Sequence, residues 1–278
     1  MHMAITLDRL HCHDEGDGSG NAEPYLWPVF FKVDGQSYAY NPGVGLIGQP
    51  IVVSTTGHRG NLGNGGVDAG SDVDIPPAVG RFRSEFRPIP VHDPAIARIV
   101  GENLPAIAGV VVVVMEKDAW PDRLATDGYV ALVDAVKLAV VKVTESLQHA
   151  LRAPTPEEIA ALVQGVKDQA AAMVHAAVKD SMDAWNLLWF GTLGDGDDQI
   201  GSEAFTVTSQ QLRDSGVVQL RKRWPADAAE DGDWELLGQV QRLPLTLRQY
   251  ILAQGMRPRD GARAAMGQER SMHECLNR

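Results

Sequence analysis

The chain has 278 residues, an apolar fraction of 44%, a charged fraction of 22% and a formal net charge of −11. This is the composition of a soluble globular protein, which excludes wholesale disorder and fibrous repeats, and the acidic balance excludes a chain built to neutralise nucleic-acid phosphates. It favours bound divalent cations instead, because hard ions such as calcium select carboxylate oxygens.

Two cysteines, Cys12 and Cys275, stand at opposite ends without metal-type spacing, so neither a disulfide framework nor structural zinc is expected. Strand alternation would put His11 and His13 on one face and Cys12 on the other, which argues against zinc there as well. No signal peptide is read at the start. The most apolar stretch, Tyr129 to Val143, is interrupted by Asp134, Lys137 and Lys142 and is too short to span a bilayer. The expected location is cytoplasmic or peripheral to a membrane.

In chain order, the first part reads as short β segments punctuated by Gly, Asp, Asn and Pro: Tyr25 to Val33, Gln49 to Ser54, Arg81 to Ile89 and Ile107 to Glu116. The glycine- and proline-rich run Gly57 to Pro77 reads as a long mobile loop without regular structure. The period then changes. Tyr129, Val133, Val136, Val140, Val143, Leu147 and Leu151 recur at steps of four and three, the signature of one helix face. Ala153-Pro154-Thr155-Pro156 breaks that helix, and Thr155 caps a second with Pro156 at its first position and Glu157 and Glu158 in its first turn. Ile159, Val163, Val166, Ala170, Met173 and Ala177 continue the stepping until Gly191. Two antiparallel helices follow, packed mainly on each other in coiled-coil fashion. Val130, Leu132, Leu138 and Val141 add apolar surface beyond what one partner helix needs, so a further partner is implied: the sandwich, another subunit or lipid.

The β rhythm returns with Glu203 to Thr208, Val217 to Arg223 and Trp234 to Gln241. Beyond Leu243, six Arg stand against three acidic residues, a basic tail on an acidic protein. The expected architecture is mainly β with an α insertion, an antiparallel eight-stranded-type β-sandwich carrying a long helical hairpin. Residues 1–121 and 191–245 form the discontinuous sandwich, 122–190 the hairpin and 246–278 the tail.

Three acidic loops stand out: His13 to Glu23, Glu116 to Asp118, and Asp195 to Asp198. Calcium takes about six to eight oxygens, so several carboxylates must converge, and a β-sandwich gathers distant loops at one end. The stretch Asp17, five residues, Glu23-Pro24-Tyr25-Leu26 resembles the first loop of the C-two domain, the calcium-dependent phospholipid-binding module of synaptotagmins and protein kinase C. That family's third loop follows a β-branched strand with Asp-x-Asp and ends on Asp-x-Ile-Gly. Here Val110 to Val114 lead into Glu116-Lys117-Asp118, while Asp198-Gln199-Ile200-Gly201 precedes the next strand, with the hairpin filling the gap.

The resemblance implies a sandwich with calcium as its cofactor and Asp17, Glu23, Glu116, Asp118 and Asp198 as metal ligands, two of them Glu where the family has Asp. It also implies a non-enzymatic module whose partner is an anionic phospholipid surface. Trp185 and Trp189, four apart on one helical face, are candidate membrane or partner contacts, with core packing on the sandwich as the other reading. No GxSxG, HExxH, P-loop or strand-framed GxGxxG pattern is present. The rival expectations are an assembly protein that forms a homo-oligomer through the hairpin, and a pore-forming or toxin-like protein whose hairpin inserts.

Overall fold

The two most continuously apolar stretches, Pro24–Val33 and Ile107–Glu116, are antiparallel neighbours at the centre of one sheet. The structure is a computed structural model that describes residues 1–16, 21–41, 45–63, 66–117, 122–146, 199–226 and 232–244. In chain order its strands are β1 (His2–Asp14), β2 (Pro24–Val33), β3 (Tyr38–Asn41), β4 (Gly45–Gly48), β5 (Ile51–Ser54), β6 (Asp72–Asp74), β7 (Arg81–Glu85), β8 (Ile89–Pro90), β9 (Asn103–Leu104), β10 (Ile107–Glu116), β11 (Gln199–Thr208), β12 (Val217–Trp224) and β13 (Asp233–Leu243). The helices are α1 (Pro77–Gly80), α2 (Pro94–Val100), α3 (Asp122–Ser146) and α4 (Ser209–Ser215).

One sheet runs β12-β13-β1-β6, with β7 on the same edge of β1 as β6; the other runs β11-β10-β2-β5. Their pairings are antiparallel, as expected for a mainly β sandwich. Small ribbons β3-β4 and β8-β9 lie outside the two sheets. Strands from both flanks of α3 share both sheets: β11 pairs with β10, and β13 pairs with β1.

Met3, Ile5, Leu10, Leu26, Phe30, Val112, Trp234 and Leu236 form the core between the sheets. A second core lies on the far face of β2 and β10, where Trp27, Val29, Phe31, Val111 and Val113 meet Ala125, Tyr129, Leu132, Val136 and Val140 of α3. This explains the missing alternation, since a strand buried on both faces has no solvent side for polar residues. The apolar face of α3 packs on the sheet, and the second helix expected from the sequence lies outside the described residues. Of the surplus apolar residues, Leu132 is fully buried on the sandwich, while Val130 and Leu138 remain exposed.

Tyr129 fixes where α3 sits. Its hydroxyl donates to the Pro28 carbonyl at 2.7 Å and accepts the Thr55 N–H at 2.8 Å, joining the helix to β2 and to the chain just beyond β5. Gly57 lies under its ring, where a Cβ would come within 2.2 Å of the aromatic carbons.

The first strand was missed as one long element because its alternation changes phase. Met3, Ile5 and Leu7 face the core, a register shift follows between Leu7 and Arg9, and Leu10 and Cys12 face inward beyond it. The run Gly57 to Pro77 is also more ordered than expected. Leu62 and Val67 are buried, Asp72–Asp74 forms β6, and Asn61 acts as a surrogate strand. Its side-chain amide accepts the Leu26 N–H at 3.0 Å and donates to the Leu26 carbonyl at 2.6 Å and the Thr56 carbonyl at 2.7 Å.

Near the other end of β2, Lys32 is 1% exposed and Asp34 fully buried. The Lys32 Nζ donates to Asp34 Oδ2 at 2.9 Å, to the Glu85 carbonyl at 2.8 Å and to Gln36. Asp34 in turn accepts the N–H groups of Gln36 at 3.2 Å and Arg87 at 3.1 Å. Removing one partner leaves a buried uncompensated charge, which costs roughly 3–5 kcal/mol. Lys32→Met is therefore expected to lower unfolding stability in urea by about that amount, and Lys32→Met with Asp34→Leu to recover more than half of it. A single-variant loss below about 1 kcal/mol would show that the pair is not a fixed part of the core.

Candidate functional site at the acidic end of the sandwich

Antiparallel pairing sets which chain segments meet at this end. Glu116 ends β10 opposite Pro24 at the start of β2, and Met115 lies opposite Gln199 at the start of β11. The stretch closing at Lys117 and the one resuming at Gln199 are thus adjacent strands, as a single interrupted loop requires. In the Ile200-Gly201 pair, Gly201 is required sterically, because a Cβ there would lie 2.4 Å from the indole of Trp224. Trp224 donates through Nε1 to the Ser202 carbonyl at 3.2 Å, and Lys222 pairs with Glu203 at 3.1 Å, so the edges of the two sheets are joined here.

Carboxylates from both sheets converge on this end, and the Cys12 thiol registers them. Buried between the sheets, it is pushed up to about 12, first by burial and then by Glu15, Asp14, Glu116 and Asp233. A thiol so placed stays neutral at physiological pH and is not a nucleophile. His11 and His13 face outward from Cys12, as strand alternation requires, with ring centroids 4.4 Å apart. His11 Nδ1 lies 2.8 Å from Asp72.

Most of these carboxylates have structural tasks. Glu15 accepts the Ala69 N–H at 2.9 Å and Asp14 accepts the Gly16 N–H at 3.2 Å, each fixing a loop. Asp233 is bound bidentately by Arg223 at 2.8 and 2.6 Å, and Glu235 accepts a single hydrogen bond from the Arg221 Nε. Glu23 accepts the Lys117 ammonium at 2.8 Å, while its carbonyl accepts the Lys117 N–H at 3.1 Å. Beside that pair opens a cavity of about 260 Å³, walled by Pro24, Gly60, Leu62, Gly63, Val67 and Val73.

Of the five expected metal ligands, the structure brings two to one end: Glu116 at the close of β10 and Glu23 directly before the neighbouring β2. Asp17, Asp118 and Asp198 lie outside the described residues, as do Trp185 and Trp189. Among the described residues no group of three or more His, Cys, Asp or Glu is placed to hold a metal. Two carboxylates supply too few oxygens for calcium, and one oxygen of Glu23 is held by Lys117. Sequence reasoning missed Lys117, whose signal was a lone cation between two acids. It also missed Asp233, which stands in a distant strand outside the three acidic loops.

No family model and no curated protein matches the chain. Among solved structures it is similar, at 10% identity and a TM-score of 0.29, to a chain described as "CC2D1B coordinates ESRCT-III activity during the mitotic reformation of the nuclear envelope". The match covers 86% of this chain and 54% of that one, so this chain spans about half of its length. Among the described residues no helix is long and apolar enough to cross a membrane.

The arginine pairs make this end sensitive to acid. The hydrogen bond from Arg223 holds Asp233 below the usual carboxylate range, and that from Arg221 does the same for Glu235. A carboxylate lowered in the folded state contributes stability above its ordinary range and loses it as pH falls through its folded value. The thermal midpoint should therefore fall as pH drops below about 4, and Arg223→Gln should make that fall smaller. Equal acid sensitivity in both proteins would assign the effect to other groups.

Proposed function

We propose that this chain is a non-enzymatic β-sandwich module that binds an anionic phospholipid surface by its acidic end in a calcium-dependent manner. The observation that carries the reading is the pairing of β2, β10 and β11, which sets side by side the strand that Glu23 directly precedes, the strand ending on Glu116 and the strand resuming at Gln199. Carboxylates gathered this closely repel an anionic surface until cations neutralise them, so attachment is switched rather than constant. The sequence holds further carboxylates at Asp17, Asp118 and Asp198, which lie outside the described residues. Cosedimentation with phosphatidylserine-containing vesicles should rise with calcium and fall back on chelation, while neutral vesicles recover little protein. Recovery that ignores both calcium and Asp118→Asn would remove the reading.

Exposed Val130 and Leu138 on the outer side of α3 favour a second reading, assembly through the helix. Light scattering distinguishes the two. Assembly requires an oligomer that Val130→Asp with Leu138→Asp converts to a monomer, whereas the membrane module keeps one size in both.

A further inference from the structure

On the outer face of the sheet β12-β13-β1-β6, β1 presents two imidazoles side by side. His11 and His13 are two residues apart, so the pleat turns both away from the core that Cys12 enters. Their rings stand at 81° to each other with centres 4.4 Å apart, and the side chains are 26% and 28% exposed. Each ring meets a carboxylate from a flanking strand. His11 Nδ1 lies 2.8 Å from Asp72 Oδ1 of β6; an ionised carboxylate only accepts, so this nitrogen carries the hydrogen and Nε2 keeps its lone pair. His13 Nε2 is buried 3.5 Å from Glu235 Oε2 of β13, which leaves Nδ1 as the nitrogen open to a ligand. Arg9 binds Asp72, Arg221 binds Glu235 and Arg223 binds Asp233, so each of these cations beside the pair is neutralised by a carboxylate.

We propose that His11 and His13 form a chelating pair for a borderline divalent transition-metal ion, with copper(II) held most tightly, and that Asp72 orients the first ring. The proposal is independent of the calcium reading. Imidazole nitrogen suits ions of this class, whereas calcium takes oxygen, and copper(II) heads the affinity order of the divalent series. Metal–imidazole bonds of about 2.0–2.1 Å let one ion join two nitrogens up to roughly 4 Å apart, a separation that rings with centres at 4.4 Å reach edge to edge. A ligating histidine commonly gives its other ring N–H to a carboxylate, which fixes the tautomer and raises the basicity of the ligand, and Asp72 stands in that relation to His11. No third His, Cys, Asp or Glu joins the pair among the described residues, so water completes the coordination and the ion remains exchangeable.

The test is calorimetric titration of the full chain with copper(II), in a His2→Asn background so that the amino terminus does not compete, together with the electron paramagnetic resonance spectrum of the bound ion. The tightest step should take one ion per chain and show nitrogen splitting from two imidazoles. His11→Asn and His13→Asn should each weaken that step about tenfold or more, since each leaves a single donor. Asp72→Ala should weaken it about tenfold, and Asp72→Asn, whose amide oxygen still accepts the Nδ1 hydrogen, about twofold or less. A spectrum with one nitrogen, no binding at all, or histidine variants that both bind as tightly as their parent overturns the chelate. Full affinity in Asp72→Ala overturns the orienting role and leaves the chelate standing.

Discussion

The structure depends on one pair of strands that is dry on both sides. β2 and β10 are covered by the opposing sheet on one face and by α3 on the other, and every residue from Pro24 to Met115 within those two strands is buried. Fully burying a large aliphatic or aromatic side chain stabilises by roughly 1.5–3 kcal/mol, so this pair dominates the cohesion of the molecule. It also leaves almost no room for charge. The ionisable side chains of the pair, apart from the phenol of Tyr25, are Lys32 near one end and Glu116 at the other. Lys32 is tolerated because Asp34 and a backbone carbonyl meet its ammonium. Trp27 is a cost the pair carries, since its indole N–H is buried without a hydrogen-bond partner among the described residues.

This arrangement places the chemistry at the strand ends. With both faces of the central pair sealed, loops and strand termini are where carboxylates and cations can meet solvent, and the acidic end collects them from both sheets. Arg221, Arg223 and Lys117 each hold a carboxylate there. The end is therefore a set of opposed charges whose balance shifts with pH and salt, not an unbroken negative surface.

The parts of this design that were legible in the sequence were those written locally. The valine run Val110 to Val114 and the helical stepping from Tyr129 to Val140 identify a buried strand and an apolar helix face by spacing alone. Spacing does not say what covers a face, so the sheet beneath α3 could not be distinguished from a partner helix. β1 was obscured because its register shift flips the inward positions. The order in the glycine-rich run depends on Asn61 reaching the backbone of Leu26, a contact no local pattern encodes. At the acidic end, the framing of Glu23 by Pro24-Tyr25 and of the later stretch by Ile200-Gly201 was readable, and the convergence of Glu23 and Glu116 followed from it. The partners of the carboxylates were not, because Lys117 was absorbed into an acidic loop and Arg223 into a strand.

The join between β10 and β11 sets where this chain tolerates change in length. Met115 and Gln199 are opposite each other although roughly eighty residues of chain separate them, and closing so long a connection costs only about 3 kcal/mol more than closing a tight turn. Doubling the intervening length would add about 0.6 kcal/mol. The sandwich can therefore carry a payload of almost any size at this junction, provided that the payload's two ends leave and return about one strand spacing apart. Sequence can be gained at this junction, beside the end of the molecule where the charges gather, without remaking the core, whereas loss of α3 would uncover the second one.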